Sequence, residues 1–277
     1  MSINNTEIFQ NYYSPLVKAG YMKSSLLRGL VRTESRIVGN QAYFRKYNSI
    51  QATKNNKGSD ITYAGTEFEN AIALLEDYES YDLLFDTDKP KFNFDEAKLL
   101  ANNTSMAIGR AIDQTIINDG LNKTTTQAIG SESETFSVDL LLRISEAFNR
   151  KAVPTNERYI VHTASQLTQL LQNTEITSSD YNNIKTLVSG EVNTFLGFKF
   201  ICIEDRKEGG LPVVGNGVKA FAFHKEAVGH AINQDVMSSI ERVATKRAYQ
   251  VGATVQQGAV NIDDDGIVPI ITKANNY

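Results

Sequence analysis

Residues 93 to 120 constrain this chain more than any other stretch. Leu100, Thr104, Ala107, Ile108, Ala111, Ile112, Thr115 and Ile116 recur at the three-to-four spacing of one helical face. Asn93 is placed to cap that helix, Glu96 completes a capping box, and Gly120 lies where a terminating glycine is expected. With a rise of about 1.5 Å per residue, the helix is on the order of 35–40 Å long. That is long for a compact domain and suits a strut.

Two β-prone stretches precede it. Ile37, Val38, Ala42, Phe44 and Ile50 mark the first, and Ile61-Thr62-Tyr63 with Phe68 to Leu75 mark the second. Between them Ala52–Asp60 is polar, basic at its tip and rich in turn residues. Together they read as a long extended hairpin with few large side chains to anchor it at home. An isolated two-stranded hairpin is marginal in water, so this one is expected to find its burial against another molecule. Residues 1 to about 35 are weakly patterned and read as an arm that packs on something else.

Beyond a Thr/Ser/Gly-rich linker at 122–136, the chain reads as a mixed α/β body. A helix from about Ser137 to Lys151 carries Leu140, Leu141, Ile144, Ala147 and Phe148 on one side, and Pro154 breaks the chain after it. Arg158–His162 reads as a strand, and Thr163 with Gln166 opens a second capped helix through Leu171. A loop at 174–180 leads to a short helix. Strands follow at Phe198–Ile203 and Ala220–Phe223, then a helix-like turn at Lys225–Ala231. The last forty residues are strand-like, with Val251–Val255 and Ile267–Thr272 separated by turns at Gly258 and Asp263–Gly266.

Composition excludes several function classes. Against 32 Asp and Glu stand 28 Lys and Arg, a formal charge of -4, which lacks the basic excess of a tight nucleic-acid binder. Cys202 is the only cysteine, so neither an internal disulfide nor a thiolate metal cluster can form. Its apolar neighbours suggest a buried side chain. Met1 to Glu7 show no basic and then apolar signal segment, and no window approaches the roughly 18 apolar residues of a membrane span. The expectation is a protein made and folded in a cytoplasm, without membrane contact.

No motif for catalysis, cofactor or metal survives inspection. Asn261-Ile262-Asp263-Asp264-Asp265-Gly266 matches half a calcium loop, but Thr272 occupies the position of the closing Glu. A polar turn is expected instead. Gly215-Asn216-Gly217-Val218-Lys219-Ala220 fits a loose dinucleotide fingerprint, yet a strand rather than a helix follows, which reads as a hairpin turn. His162, His224 and His230 have no metal-pair spacing and stand near no nucleophile elbow. The acidic pairs Glu76-Asp77 and Asp86/Asp88 read as solvated edges.

Four stretches carry a family resemblance over about Arg36 to Lys273. They are Val153-Pro154-Thr155-Asn156-Glu157-Arg158-Tyr159-Ile160-Val161-His162, then Leu187–Val192 with Leu196-Gly197-Phe198-Lys199-Phe200, then Ala222–Gly229, and finally Tyr249–Ala253 with Asp265–Val268. In this order they resemble the major capsid proteins of tailed bacteriophages. The resemblance implies an α+β fold of the Hong Kong 97 type. Its parts would be an N-arm at 1–35, an extended loop and following strand at 36–90, a spine helix at 91–121, an axial α/β domain at 122–235 and returning peripheral strands at 236–277. It further implies a self-assembling icosahedral head of hexamers and pentamers around double-stranded DNA, bound without sequence specificity. The hairpin would lie on a neighbouring subunit, with Lys54, Asn55, Asn56, Lys57, Gly58, Ser59 and Asp60 at the contact. A portal and a separate scaffolding protein are expected partners, since no long helical extension precedes the arm. No reactive Lys–Asn pair is marked, so cross-linking is not expected. Two alternatives stay open at this point: an encapsulin-like nanocompartment, and a soluble α/β enzyme using one of the three histidines.

Overall fold

The computed structural model describes residues 25–35, 37, 39–47, 52, 54, 56–58, 60, 63, 68–85, 96–172, 194–203 and 210–274. The arm before residue 25, the Asn93 cap, Asp86, Asp88 and the loop and helix expected between 174 and 192 lie outside these residues.

One body is a seven-stranded sheet. Its order is β5 (Ile129–Gly130), β13 (Ile267–Lys273), β10 (Gly217–His224), β6 (Arg158–His162), β8 (Phe198–Cys202) and β7 (Thr194–Phe195), with β9 (Val213–Val214) paired to β10. Gly215 and Asn216 form the turn between β9 and β10, as read. Every residue of β6 is buried, as befits a central strand carrying Tyr159, Ile160 and Val161 in succession. Helix α2 (Val138–Arg150) starts where Ser137, in an extended conformation, accepts from Leu140 N. It buries Leu140, Leu141, Ile144 and Phe148. Helix α3 (Ala164–Gln172) opens on the expected box: Thr163 N donates to Gln166 Oε1 at 2.9 Å, and Gln166 N to Thr163 Oγ1 at 3.4 Å. Gln166 also donates to Thr272 Oγ1 and Gln169 to the Lys273 carbonyl, which ties α3 to β13.

Arg158 is a buried cation whose guanidinium is held by neutral oxygen acceptors. Nε donates to the Pro154 carbonyl, and Nη2 donates to the Val153 carbonyl and Asn149 Oδ1. Phe148 and Phe198 flank it at 5.3 and 5.7 Å. The side chain thus satisfies carbonyls that the Pro154 break leaves without helical donors, while burial pulls its pKa down.

The other body is a four-stranded sheet ordered β1 (Arg32–Glu34), β11 (Val228–Val243), β12 (Ala248–Asn261) and β4 (Glu76–Phe85). Helix α1 (Glu96–Thr115) lies across its inner face. Ala101, Ile108, Ile112 and Ile116 from the helical segment join Leu84, Val236, Ile240, Val251, Ala253 and Val255 from the strands in one buried cluster. The sheets are joined twice, by the 3-10 turns Lys225–Ala227 and Asp264–Gly266. These crossings touch, because the Ala227 carbonyl accepts from Ile262 N and Asp263 N at 2.9 and 3.2 Å.

Several expectations need correction. Gly120 does not end the long helix, which continues as a π-helical segment, Ile116–Leu121, and closes at Asn122. The glycine is there for contact: a Cβ on it would stand 2.6 Å from Val228 Cγ1. Gly258 is no turn but lies inside β12, where a Cβ would meet the Leu74 carbonyl at 2.0 Å. Val228–Ala231 belongs to β11 rather than to a helical turn, and Ile129–Gly130 in the linker pairs in parallel with β13. β11 spans the expected boundary at 235/236, with register irregularities between Ile232 and Met237, and β13 joins the seven-stranded sheet. Cys202 is exposed, because it lies beyond the two residues of β8 that β7 covers.

Candidate assembly surface

The hairpin is built from β2 (Gln41–Tyr47) and β3 (Phe68–Leu74), antiparallel, with Tyr43 opposite Ile72 and Phe44 opposite Ala71. The period of two sends Ala42, Phe44 and Ala73 inward. With Leu75 and Ala231 they form a small buried cluster against the body. The root of the hairpin therefore does have a home core, which corrects the expectation that it lacks one. Lys46 adds an ion pair, its Nζ 2.7 Å from Asp263, and that hydrogen bond is the main reason its pKa is raised.

The outward face is different. Tyr43, Phe68 and Leu74 are 59%, 59% and 60% exposed, and Ile72 is exposed too. Beyond them, Lys54, Asn56, Lys57, Gly58 and Asp60 are all exposed, and Gly58 takes a φ of 90° at the bend. Asn55 and Ser59 lie outside the described residues.

A second open surface is the outer face of the four-stranded sheet, opposite α1. Cross-strand register places Glu79 beside Thr254 and Met237, Tyr81 beside Gly252 and Ser239, and Leu83 beside Gln250 and Glu241. Tyr81 spans the sheet to Ser239 Oγ at 3.1 Å. Asp77, Glu79 and Glu241 are exposed there, whereas no lysine or arginine occupies the outward positions 77–85 of β4, 250–256 of β12 or 237–243 of β11.

Residues 25–34 strap the body together. Asp113 on α1 is buried and accepts from Ser25 Oγ, Leu26 N and Leu27 N at 2.8, 2.9 and 3.0 Å. Burial pushes its pKa up, against the pull of those three hydrogen bonds. Leu27 and Val31 then enter the core, and β1 pairs in parallel with β11. Asp113→Asn keeps the size but turns an amide N–H toward one backbone donor. The expected cost is about 1–2 kcal/mol, with faster proteolysis at 25–31. Unchanged urea midpoints and digestion rates would remove Asp113 as the anchor.

The chemical candidates resolve into structural roles. His162 Nδ1 pairs with the Thr163 carbonyl, His224 caps Glu226 N, and His230 contacts Gln257, three separate settings. In the aspartate turn, Asp263 caps Asp265 N, while Asp264 accepts from Thr124, Thr125 and Asn261. Burial raises the Asp264 pKa, but those donors outweigh it and hold the group at about 2. Lys151 faces Asp265 at 3.1 Å. Among the described residues no group of three or more His, Cys, Asp or Glu side chains is arranged to hold a metal, and no helix is long and apolar enough to cross a membrane.

The sequence model of a family described as phage capsid protein matches residues 5–273. The head structure of Helicobacter pylori bacteriophage KHP40 superposes with a TM-score of 0.68 at 12% identity, over 94% of this chain and 90% of that one. The acid-stable capsid of Helicobacter pylori bacteriophage KHP30 gives 0.68 at 10% identity, over 94% and 92%. The capsid of cyanophage P-SCSP1u gives 0.66 at 14%, over 91% and 89%. At these identities the likeness is one of fold, the Hong Kong 97 type. No protein of curated function matches in sequence.

Proposed function

The chain belongs to the phage capsid protein family, and from that premise we propose that its copies build an icosahedral head of hexamers and pentamers around double-stranded DNA. It is a shell-forming major capsid protein, a structural component of the virion that assembles with itself. The finer reading adds a separate scaffolding protein, a portal and assembly in the host cytoplasm. The protein performs no catalysis, and DNA meets its inner surface without sequence readout, in keeping with the formal charge of -4.

Within that shell we assign the hairpin to the neighbouring subunit. The carrying observation is its two-sided character: a root held by Phe44 and Lys46, and an outward face of Tyr43, Phe68, Ile72 and Leu74 left open. Lys54 and Lys57 at the tip suit the acidic outer sheet face with Asp77, Glu79 and Glu241. Exposed ion pairs contribute only about 0–1 kcal/mol each, so charge orients the approach and apolar burial holds it. Repetition over a closed assembly multiplies a modest contact.

Negative-stain electron microscopy of the purified protein, with size-exclusion chromatography alongside, tests the reading. Closed shells, tubes or capsomer rings are expected, alone or on coexpression with a scaffold. A monomer that persists at high concentration and with every coexpressed neighbouring gene would overturn it.

A further inference from the structure

A buried polar chain links the long helix to the four-stranded sheet. His230, on the inner face of β11, is 0% exposed and sits between Thr33 of β1 and Ala259 of β12. Its Nε2 is 2.9 Å from Gln257 Oε1; Gln257 Nε2 donates to Thr115 Oγ1 at 3.3 Å; Thr115 Oγ1 donates to the Ala111 carbonyl at 2.9 Å. The carbonyl at the end can only accept, so every donor in the chain is directed. The threonine hydroxyl gives its proton to the carbonyl, the glutamine amide gives one to the threonine, and the glutamine oxygen is left to accept from histidine. The imidazole proton therefore sits on Nε2. Nδ1 is a bare acceptor, and among the described residues it has no hydrogen-bond partner.

Among the described residues no anion is placed to receive a second proton. From the strap comes Arg28, whose charge opposes a cation at His230. Arg28 itself faces Asp235 at 3.3 Å, and Arg32 on β1 faces Glu226 at 3.8 Å. From β12 comes the neutral Gln257, and from α1 the neutral Thr115. Tyr78 of β4 shares a side-chain hydrogen bond with Thr115 and gives its own proton to Glu76 at 2.9 Å, so Thr115 still accepts from Gln257, and Asp119 of the π-helical segment pairs with Lys123 at 2.6 Å. Asp113 is engaged by Ser25, Leu26 and Leu27.

We propose that His230 is an acid-operated latch: while neutral it holds the C-terminal end of the long helix and the strap 25–34 on the sheet, and protonation at Nδ1 opens that contact. A proton there creates an N–H cation with no acceptor among the described residues, in a fully buried site near Arg28. Opening restores water to the imidazole. Thr115 stands immediately before the π-helical segment, so the contact released is the one that seats Gly120 against Val228.

Burial and Arg28 hold the closed-state pKa down to about 4, against the raising effect of the Gln257 hydrogen bond. In the open state it returns to about 6.5. The latch is at full strength above the open-state value and loses strength as the pH falls toward the closed-state value. Relative to pH 7.5, the open fraction grows about 30-fold at pH 5 and about 140-fold at pH 4. Asp113, with its raised pKa, acts in the opposite sense and tightens the strap on acidification.

Hydrogen exchange of the full chain, corrected for intrinsic rates, tests this at pH 7.5 and pH 5. Peptides covering 25–34 and 108–121 are expected to lose protection by about 30-fold, while 267–273 keeps theirs. His230→Gln, which cannot titrate, is expected to abolish the difference. Exchange at the histidine C2 carbon in the wild type follows the His230 proton directly and serves if the variant fails to fold. Equal protection at both pH values overturns the proposal, as does the same loss in His230→Gln. So does a His230 titration that does not track the opening of those two segments.

Discussion

Deleting residues 52–60 is expected to abolish closed shells while leaving a folded subunit. Every described residue of that segment is exposed, so neither buried cluster loses a member. The ladder from Gln41–Leu74 to Tyr47–Phe68 still has chain enough to close, and shortening such a loop changes closure entropy by less than about 1 kcal/mol. Thermal midpoints should therefore move by no more than about 2 °C. Assembly is another matter, because each subunit loses Lys54 and Lys57 and the means to reach its neighbour. Particle counts by electron microscopy should fall at least tenfold under conditions where the parent assembles. Parental shell yields from the deletion would end the bridging role of this loop.

Phe44→Ala is expected to cost about 3–5 kcal/mol. The ring is 1% exposed and is the one large side chain among Ala42, Ala73, Leu75 and Ala231. It lies on Gly229, where a Cβ would stand 2.9 Å from ring atoms, so that residue has no side chain to fill the space the ring leaves. Arg32 sits 5.8 Å from the ring centroid and loses that contact too. Because the hairpin root has little else, the loss should appear first as hairpin release. Trypsin cleavage at Arg45 and Lys46 should accelerate before the body unfolds in urea. A cost below about 1 kcal/mol, with unchanged cleavage, would show that the hairpin is held by its strand ends and Lys46 instead.

What could be read from the sequence is what local chemistry dictates. Ser137, Thr163 with Gln166, the Pro154 break and the Gly215-Asn216 turn act within a few residues of themselves, and each does what its type and spacing imply. The misreadings share the opposite cause. Gly120 and Gly258 look like punctuation, but each is small because a distant element, Val228 or Leu74, crosses close above it. Val228–Ala231 looks helical beside Lys225–Ala227 until Asn261 to Gly258 pair with it from thirty residues away. Asp113 looks like one more polar helix position, because the three donors it accepts from lie more than 80 residues away in sequence. Those donors belong to the strap. The hairpin was legible as two β-prone stretches around a polar loop. The acidic outer face was not, because Asp77, Glu79 and Glu241 share it only once β12 pairs with β4 and β11.

The double crossing between the sheets has a mechanical consequence. Two chain segments side by side, bonded through the Ala227 carbonyl and clamped by Lys46, Thr124, Thr125 and Lys151 onto the aspartate turn, make a short, stiff neck. A neck of two parallel members resists stretching and in-plane bending far better than a single tether would. Load applied at one sheet is handed to the other with little give between them. A container made of such tiles takes up its curvature at the seams, so particle size is governed by the angle at which tiles meet, and mutations at the neck should alter brittleness rather than diameter.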